Sequence, residues 1–277
     1  MKEKKRLRKI MLILVSCIGI FILFVVVMRL VYTPSHERDW EVGQEKLPSF
    51  SFDGNRVRIE NFRNFDWKED GDVDIRYEER EYALDSLESV DVFISHFDDF
   101  EGLAHIFVSF GFRGGEQIVV SLETRREKDE EFSPVLGMLR QYEIIYVVGS
   151  EEDIVGLRTD IRDERVYLYP TKASSAQAKE LFLLLAQEIN DIYASPKMYH
   201  TLIHNCTNEI TRRVEEIADV DFPFTYKTLL PGYFDEVLYD MNIIASDKPF
   251  SVIKKDHLIN NNLVDRKKDS FREDIRR

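Results

Sequence analysis

Alternating hydrophobic and polar positions predict a series of β-strands in the first two thirds of the chain. The segments are rich in β-branched and aromatic residues, which suit a pleated, half-buried surface. The tripeptide "RGG" at 113–115 separates two of them, as in a β-hairpin. The predicted strands cover 55–65, 90–97, 104–112, 117–123, 142–149 and 165–170.

Helical periodicity follows the strands. Residues 174–194 begin with serines suited to capping, and apolar residues recur three and four positions apart. A second helix is predicted from Asn205 to about Asp219, with Ile210, Val214 and Ile217 on one face. Because strands come first and helices later, the pattern predicts an α+β fold with an antiparallel sheet and helices.

An uncharged run from Ile10 to Met28 predicts one transmembrane helix. Its nineteen residues are about the number that crosses a bilayer core. The first nine residues carry six Lys or Arg and one Glu, which predicts a cytoplasmic N-terminus and a single-pass protein of the cell membrane. "LVSC" at 14–17 faintly resembles a lipoprotein signal, but the apolar run continues eleven residues past Cys17, which favours a membrane helix.

Composition divides the chain into five segments. They are a basic cytoplasmic tail (1–9), a transmembrane anchor (10–32), a polar linker (33–50), an extracytoplasmic domain (51–245) and a C-terminal extension (246–277). The last twenty-four residues are charged and Asn-rich, which predicts a loose tail.

The charge balance limits the partners. The chain carries −13, and −19 remains once the +5 N-terminal tail and Arg29 are set aside. An ectodomain this acidic argues against nucleic acid as a partner and against purely electrostatic docking on anionic lipid. No cofactor is expected.

Cys206 is the first candidate for chemistry. The only other cysteine is Cys17, so Cys206 has no partner for a disulfide on the oxidising side of the membrane. Asn205 is a good N-cap and places Cys206 in the first turn of a helix, where the dipole and free N–H groups lower a thiol pKa. The alternative is a small buried hydrophobic residue.

A thiol nucleophile needs a base, usually histidine. Of the six histidines, His36 lies in the linker and His257 near the tail, whereas His105 lies on a predicted central strand, as a candidate base or a hydrogen-bonded core residue. His96 ends the preceding strand and is expected to be exposed. His200 and His204 suggest zinc by their spacing, but no acidic residue completes an H-E-x-x-H pattern, so no metal is expected.

The strand after His105 offers a third member for a catalytic triad. Ser121 and Glu123 share one face, and either can orient an imidazole on the neighbouring strand. Glu123 with Arg125 is equally consistent with a surface ion pair. Arg158 is a candidate for holding a substrate carbonyl or phosphate, or else a solvated loop charge.

Four segments together resemble the Lnb N-terminal periplasmic domain family, named after lipoprotein intramolecular acyltransferases of Gram-positive bacteria. They are "GLAHIFVSFGF", "VVSLETRREKDEEFSPVLGMLRQYEIIYVVGSEEDIVGLRT", "MYHTLIHNCTNEI" and "LLPGY". The resemblance spans about residues 90–232. The order of a strand histidine followed by a helix-capping cysteine is also that of permuted papain-like thiol enzymes, including the lecithin:retinol acyltransferase group.

The resemblance implies an enzyme that moves one acyl chain of a diacylglyceryl lipoprotein from glycerol to the N-terminal amine, through a thioester. It implies Cys206 as nucleophile and His105 as base, and from the strand pattern we expect Glu123 as the third catalytic residue, with Ser121 as the alternative. The implied partners are diacylglyceryl lipoproteins and membrane lipid, and residues 222–234 are either a lipid-facing lip or a core-covering loop. The alternatives are a cell-wall thiol peptidase or amidase and a non-enzymatic anchored module. The implied substrate or oxyanion candidates are Ser121, Arg125, Arg158, Tyr199 and Asn205.

Overall fold

A computed structural model describes residues 2–68, 71–262 and 270–276 of the chain. Its first element is the helix α1, Lys2–Val31. Within Lys4–Met28, the most apolar window of 18 residues has a mean hydropathy of 3.3, and none of it is buried against the rest of the protein. By length and composition this helix can cross a membrane, as the uncharged run predicts.

One large, mainly antiparallel sheet forms the centre of the remaining chain, and the six predicted strands are all present. The strand order is β1-β2-β9-β8-β7-β6-β10, with β5 also paired to β2. Among the strand pairs that the structure describes in this sheet, the β2–β9 contact alone is parallel. The strands are β1 Ser49–Asp53, β2 Arg56–Arg63, β3 Asp66–Trp67, β4 Val73–Asp74, β5 Tyr77–Ala83, β6 Leu87–His96, β7 His105–Phe112, β8 Gln117–Arg125, β9 Glu143–Gly149 and β10 Arg165–Pro170, where β3 and β4 form a separate hairpin.

Helices cover both faces of this sheet. Along β8, Val120 and Leu122 join one apolar cluster and Val119 joins the other, because successive strand residues point to opposite faces. Ser174 starts the long helix with a capping box, as its sequence predicts. The further helices are α2 Pro134–Met138, α3 Glu151–Gly156, α4 Ser175–Ala194, α5 Cys206–Ile217, α6 Tyr226–Leu229, α7 Phe234–Asp240, α8 Phe250–Asp256 and α9 Phe271–Asp274.

The sheet divides between β7 and β8. These strands pair with each other only from Gly111–Gln117 to Val108–Val120. Beyond that point β7 continues to His105 paired with β6, and β8 continues to Arg125 paired with β9. At the N-terminal end of β7, the backbone groups that face β8 therefore form no hydrogen bonds within the β7–β8 pair.

The linker is folded onto the domain. The N–H of Ser35 donates to Glu143 over 3.0 Å, and Arg38 pairs with the same carboxylate at 2.9 Å. Trp40 is buried under the guanidinium of Arg125. Only residues 32–34 therefore separate the end of α1 from the first contact with the domain.

The prediction of a loose C-terminal tail is wrong for the part of the tail that the structure describes. Phe271 and Ile275 are buried against the sheet, and Arg276 pairs with both Glu151 and Asp91. These two carboxylates are themselves buried, so they need a cation that the charged tail supplies. A charged composition predicts disorder only when no other part of the chain offers buried partners for those charges. Residues 263–269 lie outside the described residues.

Candidate active site

Cys206 is the first residue of α5, as the asparagine cap predicts. Asn205 has extended backbone angles, and its Oδ1 accepts the N–H of Asn208 at 2.8 Å. Its Nδ2 donates to the carbonyl of Thr201. Asn205 therefore acts as the helix cap, and these bonds use its Oδ1 and one of the two hydrogens of Nδ2.

The sulfur of Cys206 lies against the divided part of the sheet. The side chain is 7% exposed and belongs to the core cluster. Burial raises the pKa of the thiol, and this exceeds the opposing effect of the N–H groups of Ile106, Thr207 and Cys206 itself. The expectation of a lowered thiol pKa is therefore wrong, since the helix start is buried too deeply for its dipole to dominate.

His105 lies one residue from the N–H that contacts this sulfur. Its Nε2 is 2.7 Å from Oγ of Ser121, and the Ser121 hydroxyl donates to Oε1 of Glu123 over 2.9 Å. A serine hydroxyl has one hydrogen, which goes to Glu123, so Ser121 accepts from Nε2–H. The lone pair of the neutral imidazole is then on Nδ1, which makes this nitrogen the available base.

The protonation states fit a resting, uncharged pair of thiol and imidazole. Burial, with Arg158 next, lowers the pKa of His105 to about 3. Burial alone raises the pKa of Glu123, but Arg158 and neighbouring cations hold it well below its usual range. At neutral pH His105 is a neutral base and Glu123 is a carboxylate.

Arg158 forms an ion pair with Glu123 and holds this carboxylate in position. Its Nη2 donates to Oε1 of Glu123 at 2.8 Å, and its Nη1 donates to the carbonyl of Ile154 at 2.7 Å. The guanidinium lies 4.7 Å from the ring of Phe107, which also stacks on His105. Arg158 is therefore buried and paired, in contrast to a solvated loop charge, and it has no free fork for a substrate.

Two other candidates have different surroundings. Arg125 donates to the carbonyls of Gln44 and Glu45, each at 2.9 Å, so it holds the linker and forms no surface pair with Glu123. Tyr199 is buried next to Cys206, and burial followed by that thiol raises the pKa of its phenol. Of the sequence candidates, Ser121, Glu123 and Arg158 form one network with His105, Tyr199 lies beside Cys206, and Arg125 lies apart from both.

The remaining histidines lie elsewhere. His96 is 3% exposed, which corrects its expected exposure, and burial lowers its pKa to about 4. His204 is 3.0 Å from Glu209, and within the described ranges no three His, Cys, Asp or Glu side chains gather as a metal site. Sequence reasoning missed the N–H of Ile106, because a backbone donor carries no residue-type signal.

The segment 222–234 divides into exposed and buried parts. Phe224 is 87% exposed and Leu229 is on the surface, whereas Phe234 is in the core and stacks with Phe222. The ends of this segment therefore cover the core, and the exposed apolar surface that a lipid-facing lip requires lies in its middle.

Comparison with known proteins identifies the family of the domain that contains these residues. The model of the Lnb N-terminal periplasmic domain matches residues 74–232, which include the whole site described above. No curated protein and no solved structure gives a significant match. The family implies a membrane protein that processes lipoproteins, and the apolar α1 agrees with a membrane-anchored extracytoplasmic domain. The family match covers more than half of the chain, which belongs to the Lnb N-terminal periplasmic domain family.

Proposed function

We propose that this protein is a cysteine-dependent acyltransferase that moves one acyl chain of a diacylglyceryl lipoprotein from glycerol to the N-terminal amine. The observation that carries the proposal is Cys206 at a helix start with its sulfur on the N–H of Ile106, the neighbour in β7 of His105, whose imidazole contacts the Ser121–Glu123 pair. A nucleophile, a base and a group that fixes the base are what acyl transfer through a covalent intermediate requires.

The first half-reaction forms a thioester. Nδ1 of His105 takes the thiol proton as the sulfur of Cys206 attacks the carbonyl carbon of the glycerol ester. The N–H groups at the start of α5 stabilise the resulting oxyanion. The C–O bond to glycerol then breaks, the imidazolium returns its proton to the glycerol oxygen, and the acyl chain remains on sulfur.

The second half-reaction releases the enzyme. The neutral amine of the lipoprotein attacks the thioester carbonyl, and His105 accepts one amine proton. The C–S bond breaks and the thiolate regains that proton, so the products are an N-acyl lyso-lipoprotein and the original thiol. No oxidant, metal or second substrate is consumed.

Because the thiol of Cys206 and the imidazole of His105 are both neutral at rest, general-base catalysis is favoured over a preformed thiolate–imidazolium pair. A thiol with a raised pKa beside a histidine with a pKa of about 3 carries no net charge at rest. A neutral site costs less to bury beside acyl chains than a thiolate–imidazolium pair does. The thiol is deprotonated only as the ester carbonyl arrives.

A synthetic diacyl lipopeptide with a heavy-isotope chain on the secondary glycerol position tests the proposal. We expect the full chain in detergent to move the labelled chain to the amine, as detected by mass spectrometry of the intact lipopeptide. Cys206→Ser should give no product, while Cys17→Ser, the matched control in α1, should behave as the wild type. Transfer by Cys206→Ser would contradict the proposal.

A further inference from the structure

A cavity of about 500 Å³ lies where the membrane helix meets the domain. Tyr32 and Pro34, which directly follow α1, line one side of it, and His204 and Glu209 of the Cys206 region line another. Its volume is in the range of small-molecule sites. Residues 32–34 join the cavity to α1, so the cavity lies close in sequence to the helix that can cross a membrane.

The floor of the cavity is apolar. It is formed by Leu122 and Ile144 of the sheet, Ile192 of α4, and Met198. Floor residues of this kind accept a hydrocarbon chain without leaving polar groups unpaired. The adjacent surface continues the apolar character, because four large apolar side chains are exposed on α2 and on the loop before α5: Val135, Met138, Leu202 and Ile203.

One cation at the cavity is left without a partner. Glu188 pairs with Lys197 and Arg213, and Glu209 pairs with Arg212. Among the residues that the structure describes, the guanidinium of Arg140 forms no ion pair or side-chain hydrogen bond. An unpaired arginine beside an apolar chamber offers the fork that binds a phosphate group.

The backbone at Arg140 adds an independent observation. Its φ is +57°, a left-handed conformation that disfavours a long side chain and suits glycine or asparagine. An arginine in this strained conformation is a sign of a selected function. The strained turn points to Arg140 as a residue retained for its side chain.

From these observations we infer that the cavity is a glycerophospholipid site, with one acyl chain on the apolar floor and the phosphodiester on Arg140. Its occupant holds the domain against the bilayer with the start of α5 facing the lipid. The acidic ectodomain as a whole does not attract an anionic membrane, so a single built-in phosphate site supplies the docking that the net charge does not. The inference concerns lipid binding and does not depend on acyl transfer.

Lipid retention by the full chain tests the inference. The protein is reconstituted in nanodiscs of equimolar phosphatidylglycerol and diglucosyl diacylglycerol, extracted into mild detergent, and its bound lipids are identified by native mass spectrometry. We expect the wild type to retain phosphatidylglycerol in preference to the phosphate-free glycolipid. Arg140→Gln should lower that retention about tenfold, as expected for one lost charge-assisted hydrogen bond.

Matched variants separate the possible outcomes. Arg113→Gln removes an exposed arginine from the β7–β8 turn and should retain lipid as the wild type does, and Arg140→Lys should retain part of it. Met198→Gln should weaken retention through the floor, and inorganic phosphate should not displace the lipid. Equal retention by Arg140→Gln and the wild type, equal retention of both lipids, or displacement by free phosphate would each overturn the inference. Cys206→Ser should retain lipid fully, so a failed acyl-transfer proposal would leave this result unchanged.

Discussion

Ser121 is the residue that joins His105 to Glu123, and Ser121→Ala removes the link without touching the nucleophile. The Nε2–H group, 2.7 Å from the hydroxyl oxygen in the wild type, then faces a methyl group. A buried donor left without a partner costs about 1–3 kcal/mol. Since the imidazole must be held in one tautomer during proton transfer, we expect a roughly 5- to 150-fold lower kcat.

Glu123→Gln should lower kcat less than Ser121→Ala does, and it should lower the free energy of unfolding more. The amide oxygen can still accept from Ser121 and Arg158, which now share Oε1 at 2.9 and 2.8 Å, so kcat should fall only about 2- to 10-fold. The guanidinium of Arg158, 97% buried by side-chain area, loses its nearest charged partner and keeps Glu164 at 4.0 Å, so the free energy of unfolding should fall by about 3 kcal/mol.

The assay measures acyl transfer to the lipopeptide amine under saturating substrate, beside thermal unfolding of each variant. Ser109→Ala is the matched control, because this buried serine of β7 donates to Glu151 at 2.6 Å away from the site. It should lose stability and keep its kcat. A Ser121→Ala enzyme with wild-type kcat, or a Glu123→Gln enzyme slower than Ser121→Ala, would refute the reasoning.

Four further outcomes follow from the same contacts. Cys206→Ser and His105→Ala should each abolish turnover, and the double variant should be no worse than either one, because members of one catalytic unit are not additive. The rate at which iodoacetamide alkylates Cys206 should still increase with pH above the ordinary thiol pKa of about 8.5. A rate that is already constant from acidic pH upward would reveal a thiolate–imidazolium pair. The unfolded chain protonates His96 below pH 6.5 but the folded chain only below about 4, so acid lowers stability across this window; in His96→Phe the melting temperature should depend less on pH there. Phe271→Ala should cost about 3–5 kcal/mol of unfolding free energy, and a change near zero in a denaturant titration would contradict a packed tail.

Local patterns in the sequence were enough to predict the elements that build the site. Alternation along 104–112 and 117–123 predicted β7 and β8, and the cap residue Asn205 predicted the start of α5. These features depend on a few neighbouring residues, so one sequence suffices to find them.

Pairings between distant segments were beyond the sequence. Arg158 and Glu123 are thirty-five positions apart and meet only because the helical segment after α3 returns beneath β8. Arg125 is on the same face of β8 as Ser121 and Glu123. Its guanidinium nevertheless lies outside the site, because it donates to two carbonyls of the linker. The burial of Cys206 was equally beyond the sequence. The helix start at this residue was predicted correctly, but the effect of burial on the pKa of the thiol was not.

The acyl-enzyme is the intermediate on which the proposed function depends. The full chain is mixed with the isotope-labelled diacyl lipopeptide, quenched in acid within the first turnover, and digested for mass spectrometry of the peptide that contains Cys206. We expect this peptide to gain the mass of one labelled acyl chain, and hydroxylamine, which cleaves thioesters, to remove it. A labelled product formed without any acylated Cys206, or cleavage of the peptide part of the substrate with both acyl chains still on glycerol, would contradict the acyltransferase.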